Sequence, residues 1–331
     1  MRVCARVCER EGEREMAVAV EKAKAATTDV FENGNLSVQN ISVEKSSDSS
    51  SPPKSLLIVA PTAKNTYPVL LFLHGTSVLV KNYDQFFQYV SSHGYIVVAP
   101  QLYKCPLTSG TEELNSAADV TNWISTYLQS FLPKNVKPDV TRLAVSGHSR
   151  GGKQAFALAL GLAETSLIPT ISALIGLDPV AGMSKSLQVS PKILTYVPQS
   201  YDLKIPVTVI GTGLGDEKKN VIFPACAPCG VNHAEFYNES KPPCGYFVCK
   251  DYGHMDLLND AASALGSCVC TSGKGAKDPF RRCLAGIFVA FLRASLDGNE
   301  ADLNVIVEDP SIAPITLDPA IYNEAKVKVY V

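Results

Sequence analysis

The 331-residue sequence predicts an α/β fold, a mostly parallel central sheet flanked by helices on both faces. Three observations carry that expectation. From about residue 55 onward, short β-branched runs alternate with longer amphipathic ones. The short runs are apolar without polar alternation, as strands covered on both faces are. A hydrophobic content of 46% is enough to bury a large core.

Taken in order, "SLLIVAP" (55–61), "YPVLLFLHG" (67–75), "GYIVVAP" (94–100), "RLAVSG" (142–147), "ISALIGLD" (171–178), "IPVTVIGTG" (205–213) and "CGYFVCKDYGH" (244–254) read as strands. Helices fill the gaps. "YDQFFQYVSSHG" (83–94) ends on a glycine suited to a C-cap, and "EELNSAADVTNWISTYLQSFLP" (112–133) stops at Pro133. "GGKQAFALALGLA" (151–163) and "RRCLAGIFVAFLRASL" (282–296) complete the set. Segments 42–54 and 214–243 are rich in Ser, Pro, Gly or charge and read as loops. After residue 299, "LNVIVEDP" and "EAKVKVYV" are strand-like runs without a place in this scheme. No repeat or linker intervenes, so residues 28–331 are expected to form one domain with a Cys/Pro-rich loop at about 214–245. Residues 1–27 are expected to be a poorly ordered N-terminal extension. Met16 opens a more ordinary beginning than Met1, and five glutamates in the first 30 residues argue against a secretory signal or a plain transit peptide.

Thirty basic against 32 acidic residues leave a formal charge of −2, with no basic run, which speaks against nucleic acid as a partner. No apolar run reaches the ~18 residues of a membrane-spanning helix, so a soluble protein is expected. Seven of the ten cysteines lie between residues 226 and 283. The spacing of Cys226, Cys229, Cys244 and Cys249 could close a zinc tetrahedron, but prolines 224, 228, 242 and 243 describe a loop served as well by disulfides or buried thiols. The expectation is no metal.

The chemistry concentrates in "VSGHSRGGK" (145–153). Gly147-His148-Ser149-Arg150-Gly151 is a Gly-x-Ser-x-Gly turn with a strand before it and a helix after it, the context of the nucleophile in the α/β-hydrolase fold. Small neighbours allow a strained turn that lifts the serine hydroxyl out at the carboxyl edge of the sheet. A serine needs a base, which in this fold follows it in the chain. Of five histidines only His233 and His254 do so, and His254, after the last predicted strand, is the better placed. The orienting acid should lie between them at a strand end. Asp178 ends one strand and precedes Pro179, and Asp216 follows the next; spacing leaves both open. For the oxyanion, the backbone N–H of Arg150 and one from the loop "LHGTSVLV" (73–80), assigned to Thr76, are the candidate donors.

Seven ordered segments, "LLFLHG" (70–75), "SSHGYIVVAPQLY" (91–103), "GHSRGGK" (147–153), "LIGLDPVAG" (174–182), "VIGTGLG" (209–215), "FPACAPCGVNHAEFY" (223–237) and "KDYGHMDLLND" (250–260), together resemble plant chlorophyllases over about residues 28–298. The resemblance implies cofactor-free hydrolysis of the phytyl ester of chlorophyll to chlorophyllide and phytol. It also implies Ser149 as nucleophile, His254 as base and Asp178 as acid, demoting Asp216. Chlorophyll is then the partner, with peripheral membrane association held open and the chloroplast as compartment, the cytosol or another endomembrane being the alternative. Two other functions stay open on the residues alone: a general carboxylesterase or lipase for apolar esters, and a non-catalytic pigment-binding protein of the same fold.

Overall fold

The structure, a computed structural model, describes residues 28–104 and 108–325. The expected N-terminal extension, Cys4, Cys8, Cys105 and the last residues of the chain lie outside the described residues.

Nine strands form one sheet in the order β1-β2-β4-β3-β5-β6-β9-β10-β11. They are β1 (Val38–Val43), β2 (Leu56–Pro61), β3 (Asn65–Leu73), β4 (Ile96–Pro100), β5 (Val136–His148), β6 (Ile171–Leu177), β9 (Val207–Thr212), β10 (Cys244–Cys249) and β11 (Leu317–Asn323). The run from β4 through β3, β5, β6 and β9 to β10 is parallel, while β1 and β2 at one edge and β11 at the other pair antiparallel. A separate small hairpin pairs β7 (Gly182–Ser184) with β8 (Leu187–Gln188).

The helices are α1 (Asp84–Ser92), α2 (Gly110–Tyr127), α3 (Arg150–Ala159), α4 (His233–Glu239), α5 (Asp260–Gly266), α6 (Lys277–Asp297) and α7 (Ala301–Glu308). They cover both faces because strand side chains alternate. On β2, Leu57 and Val59 join a cluster with Phe86, Phe87, Phe288 and Phe291 of α1 and α6. Leu56, Ile58 and Ala60 join a second cluster with Leu114, Trp123 and Phe156 of α2 and α3. Truncating one of these fully buried phenylalanines to alanine should cost about 3–5 kcal/mol.

Several expectations need correction. The strand read as 142–147 begins at Val136, and the one read as 244–254 ends at Cys249, leaving His254 on a loop. The helix read as 112–133 ends at Tyr127 and tightens into a 3-10 turn, Leu128–Phe131. The loop read as 214–243 contains α4, which starts where the Asn232 side chain accepts a hydrogen bond from the Ala234 N–H. "LNVIVEDP" is helical, not a strand: Leu303 and Ile306, one turn apart, are both buried.

Parallel strands deliver their carboxyl ends to one edge of the sheet. The segments after β3, β5, β6, β9 and β10 therefore converge there.

Candidate active site

Ser149 occupies the turn between β5 and α3 with φ 57° and ψ −125°, a strained conformation for a residue with a side chain. Two contacts explain why the turn needs glycine. A Cβ on Gly147 would lie 2.3 Å from the Gly151 carbonyl oxygen, and one on Gly151 would lie 2.2 Å from that of Leu73. The strained residue is held by its own backbone: its N–H donates to the Leu177 carbonyl at 3.1 Å, and its carbonyl accepts from Val180 at 3.0 Å.

Three side chains from three strand ends then line up. His254 Nε2 lies 2.8 Å from Ser149 Oγ, and His254 Nδ1 lies 2.7 Å from Asp178 Oδ2. Asp178 is fully buried and also accepts from the Thr212 hydroxyl at 2.6 Å and the Thr212 N–H at 3.2 Å. Burial alone would raise the pKa of this carboxyl, but the hydrogen bond and charge of His254, the charge of His233 and the Thr212 hydroxyl outweigh it and hold it down to about 2. An ionised carboxylate only accepts, so Nδ1 carries the imidazole proton and Nε2 is left as the acceptor for the serine hydroxyl.

Asp216 is exposed on the loop beyond β9, and it is Asp178 that bonds His254. His233 does not reach Ser149. Its Nδ1 pairs with the Tyr246 hydroxyl at 2.9 Å and its Nε2 stands 4.0 Å from Asp178 Oδ1. Desolvation lowers its pKa from the ordinary imidazole value.

Thr76 is exposed and lines the cavity above Ser149, and Arg150 is the first residue of α3, the helix end where backbone N–H groups point outward. The Arg150 guanidinium turns away to a buried Glu113, 2.6 Å from Nε. Next to Thr76, Gly75 presses on the turn: a Cβ there would meet His148 Nδ1 at 2.9 Å and Ser149 Cβ at 3.2 Å.

Sequence reasoning passed over the layer beneath. His148 is fully buried, and its Nε2 lies 3.0 Å from the His254 carbonyl, which can only accept. Its Nδ1 is therefore bare and accepts from the Tyr83 hydroxyl at 2.9 Å, whose oxygen in turn accepts from the Gly75 N–H at 3.0 Å. Desolvation pushes the pKa of His148 well below its ordinary value, keeping it neutral. One buried chain thus joins the Gly75 loop, the serine turn and the His254 loop. His74 adds a second tie, donating from Nδ1 to the Gly75 carbonyl and accepting at Nε2 from the Leu102 N–H. The signal in the sequence is a histidine inside the serine turn, where a buried polar group demands partners.

The cysteines expected as zinc ligands or disulfides divide. Cys226 is bonded to Cys270, Cys229 is exposed, and Cys244 and Cys249 are buried thiols. Among the described residues no group of three or more His, Cys, Asp or Glu side chains gathers to hold a metal ion.

The hydroxyl of Ser149 faces a cavity of about 490 Å3 whose walls include Val78, Val180, Val189, Met255 and the Cys226–Cys270 bridge. Few polar groups converge on it besides Ser149 and His254, as in a site for an apolar ligand. The family model described as Chlorophyllase matches residues 26–324. The chain belongs to the chlorophyllase family. It is 49% identical over 308 residues to "Chlorophyllase-1, chloroplastic" of Citrus unshiu, covering 91% of this chain and 90% of that one. To "Chlorophyllase-1" of Arabidopsis thaliana it is 46% identical over 305 residues, 90% of this chain and 94% of the relative. "Chlorophyllase-2" of the same plant is 41% identical over 296 residues, 85% and 93%.

Proposed function

We propose that this chlorophyllase-family chain hydrolyses the phytyl ester of chlorophyll to chlorophyllide and phytol, with Ser149 as nucleophile, His254 as general base and acid, and Asp178 as its orienting carboxylate. The observation that carries the reading is the hydrogen-bonded row Ser149–His254–Asp178, whose Ser149 and His254 line an apolar cavity. His254 Nε2 takes the hydroxyl proton as Ser149 Oγ attacks the propionate carbonyl. The oxygen of the tetrahedral intermediate lodges on the backbone N–H groups of Thr76 and Arg150. Collapse expels phytol, which takes its proton from His254, and water, deprotonated by the same imidazole, releases chlorophyllide from the acyl-enzyme. Asp178 stays ionised throughout and stabilises the imidazolium that forms.

The chloroplast is the compartment this reading carries over from the Citrus unshiu relative, whose name includes "chloroplastic". No helix among the described residues is long and apolar enough to cross a membrane. The deciding experiment is chlorophyllide release from detergent-solubilised chlorophyll by the wild-type chain and by Ser149→Ala. Turnover that disappears in the variant supports both substrate and nucleophile. A wild type that ignores chlorophyll but cleaves a p-nitrophenyl ester through Ser149 is a general carboxylesterase, and a chain inert on both is a binding protein.

A further inference from the structure

The mouth of the cavity carries apolar surface that the hydrolytic steps do not use. On the loop after β9, Val221, Ile222 and Phe223 follow one another, Val221 being 101% exposed and Ile222 79%. The β7–β8 hairpin adds Met183 and Leu187, 59% and 66% exposed, and the segment after α5 adds Val269. Phe223, Met183 and Val269 also line the cavity, so three separate segments ring one opening. Two of them are tied together: Cys226 is bonded to Cys270, and the Thr271 hydroxyl donates to the Glu217 carbonyl at 3.1 Å. Single exposed apolar residues are ordinary, whereas a ring of them around an opening marks an interaction surface.

We infer that this rim docks on a lipid bilayer, the 221–223 loop entering the acyl region so that the cavity opens toward the hydrocarbon in which a phytyl ester dissolves. The inference rests on chlorophyll being the substrate. Val221 is as exposed as in an isolated peptide, so a rigid protein partner would need a matching socket for it, while fluid acyl chains close around any shape. A protein seated on the rim would block the way to Ser149; a bilayer supplies the ester through it. The charges at the tip favour a neutral headgroup layer. Asp216 and Glu217 offset Lys218 and Lys219, all four exposed, and the β7–β8 hairpin adds the single charge of Lys185, which leaves apolar insertion as the main driving force.

The test is flotation of the full-length chain with phosphatidylcholine vesicles free of chlorophyll, comparing wild type with the double variant Val221→Ser, Ile222→Ser. Neither residue lines the cavity. The wild type should bind, with little change between ~0.1 and ~0.5 M salt. The double variant should partition at least about tenfold more weakly while its turnover of detergent-solubilised chlorophyll stays within about twofold. A wild type that remains in solution, a variant that binds as well, or binding abolished by salt overturns the inference. So does sedimentation showing that the substitutions split a dimer, which would give the rim to a second copy of the chain. Because the vesicles hold no pigment, their binding is read independently of turnover: absent chlorophyll hydrolysis in detergent strikes the substrate reading, and absent flotation strikes the docking surface.

Discussion

A serine held at φ 57° stores about 1–3 kcal/mol of backbone strain, a cost that fits a hydroxyl with work at the sheet edge. Ser149→Ala, His254→Ala and Asp178→Asn should each lower kcat by about 10³-fold or more with the fold intact, whereas Asp216→Asn should stay within about twofold, read by turnover alongside circular dichroism. Normal activity in Asp178→Asn, with Asp216→Asn dead, would move the acid to the later loop. Tyr83→Phe asks a subtler question. It deletes the one hydroxyl that accepts from Gly75 and donates to His148, so the Gly75 loop and the serine turn lose their common anchor. The expected result is kcat down about tenfold with KM within about twofold, since positioning and not substrate affinity is lost; an unchanged kcat would show the link to be structural only. Ser149 and His254 are visible in the sequence because each ends or follows an apolar run, whereas Asp178 shares that pattern with Asp216 and is singled out only by the family resemblance. His148 and Tyr83 are not visible, because their partners lie 106 and 65 residues away and chain order excludes a histidine before the serine as base.

The same distinction holds for elements. Strands β3, β4, β6 and β9 announce themselves because burial on both faces leaves little room for polar residues. The edge strands do not: β1 carries Gln39, Asn40 and Ser42 on a half-exposed ribbon, and β11 is interrupted by Asp318 and Pro319. Helix α7 misleads because Val305, Ile306 and Val307 favour strands, and only the burial of Leu303 and Ile306 beside α6 decides for a helix. The loop between β10 and α5 owes its shape to a residue two places from His254. Asp256, buried, accepts from the N–H groups of Gly253 and Gly273 at 2.8 and 2.7 Å and from the Ser272 hydroxyl, and pairs with Lys277 at 2.9 Å. Asp256→Asn keeps the shape but removes the charge and turns one acceptor into a donor. Urea unfolding should register a loss of about 2–3 kcal/mol, and kcat should fall about tenfold as the His254 loop loosens. Stability lost without any change in kcat would show that the loop holds His254 by other means.

Across the whole molecule, the buried titratable groups set a stability profile whose sign can be worked out. Desolvation lowers the pKa of His74 to about 4, that of His148 well below 6.5, and that of His233 in the same direction. Below pH 6.5 the unfolded chain takes up protons that the folded chain refuses, so stability is full above 6.5 and drains as pH falls. His74 alone accounts for about 3 kcal/mol by pH 4. Asp178, held to about 2, adds a further loss between pH 3.8 and 2, where the unfolded carboxyl protonates first. Lys153 acts in another window. Fully buried beneath the serine turn, with Gln154 Oε1 3.3 Å from its ammonium, it is lowered to about 7 by desolvation. The unfolded lysine keeps its proton up to about 10.5, so stability rises between pH 7 and 10.5 as the folded lysine sheds the charge. Above pH 9 the buried Cys244 and Cys249, and above pH 10 the buried Tyr83 and Tyr201, all raised by desolvation, reverse the slope, because the unfolded thiols and tyrosines ionise first. Urea midpoints measured from pH 4 to 10.5 should therefore climb steeply to 6.5, more gently beyond 7, and turn down above 9. Lys153→Met should raise stability by about 1–4 kcal/mol at pH 6 and remove the climb above 7, since it replaces a buried charge with apolar volume. A variant less stable than wild type at pH 6 would mean that the folded protein keeps Lys153 charged and usefully paired, with the carboxylate of Glu113 as the compensating group.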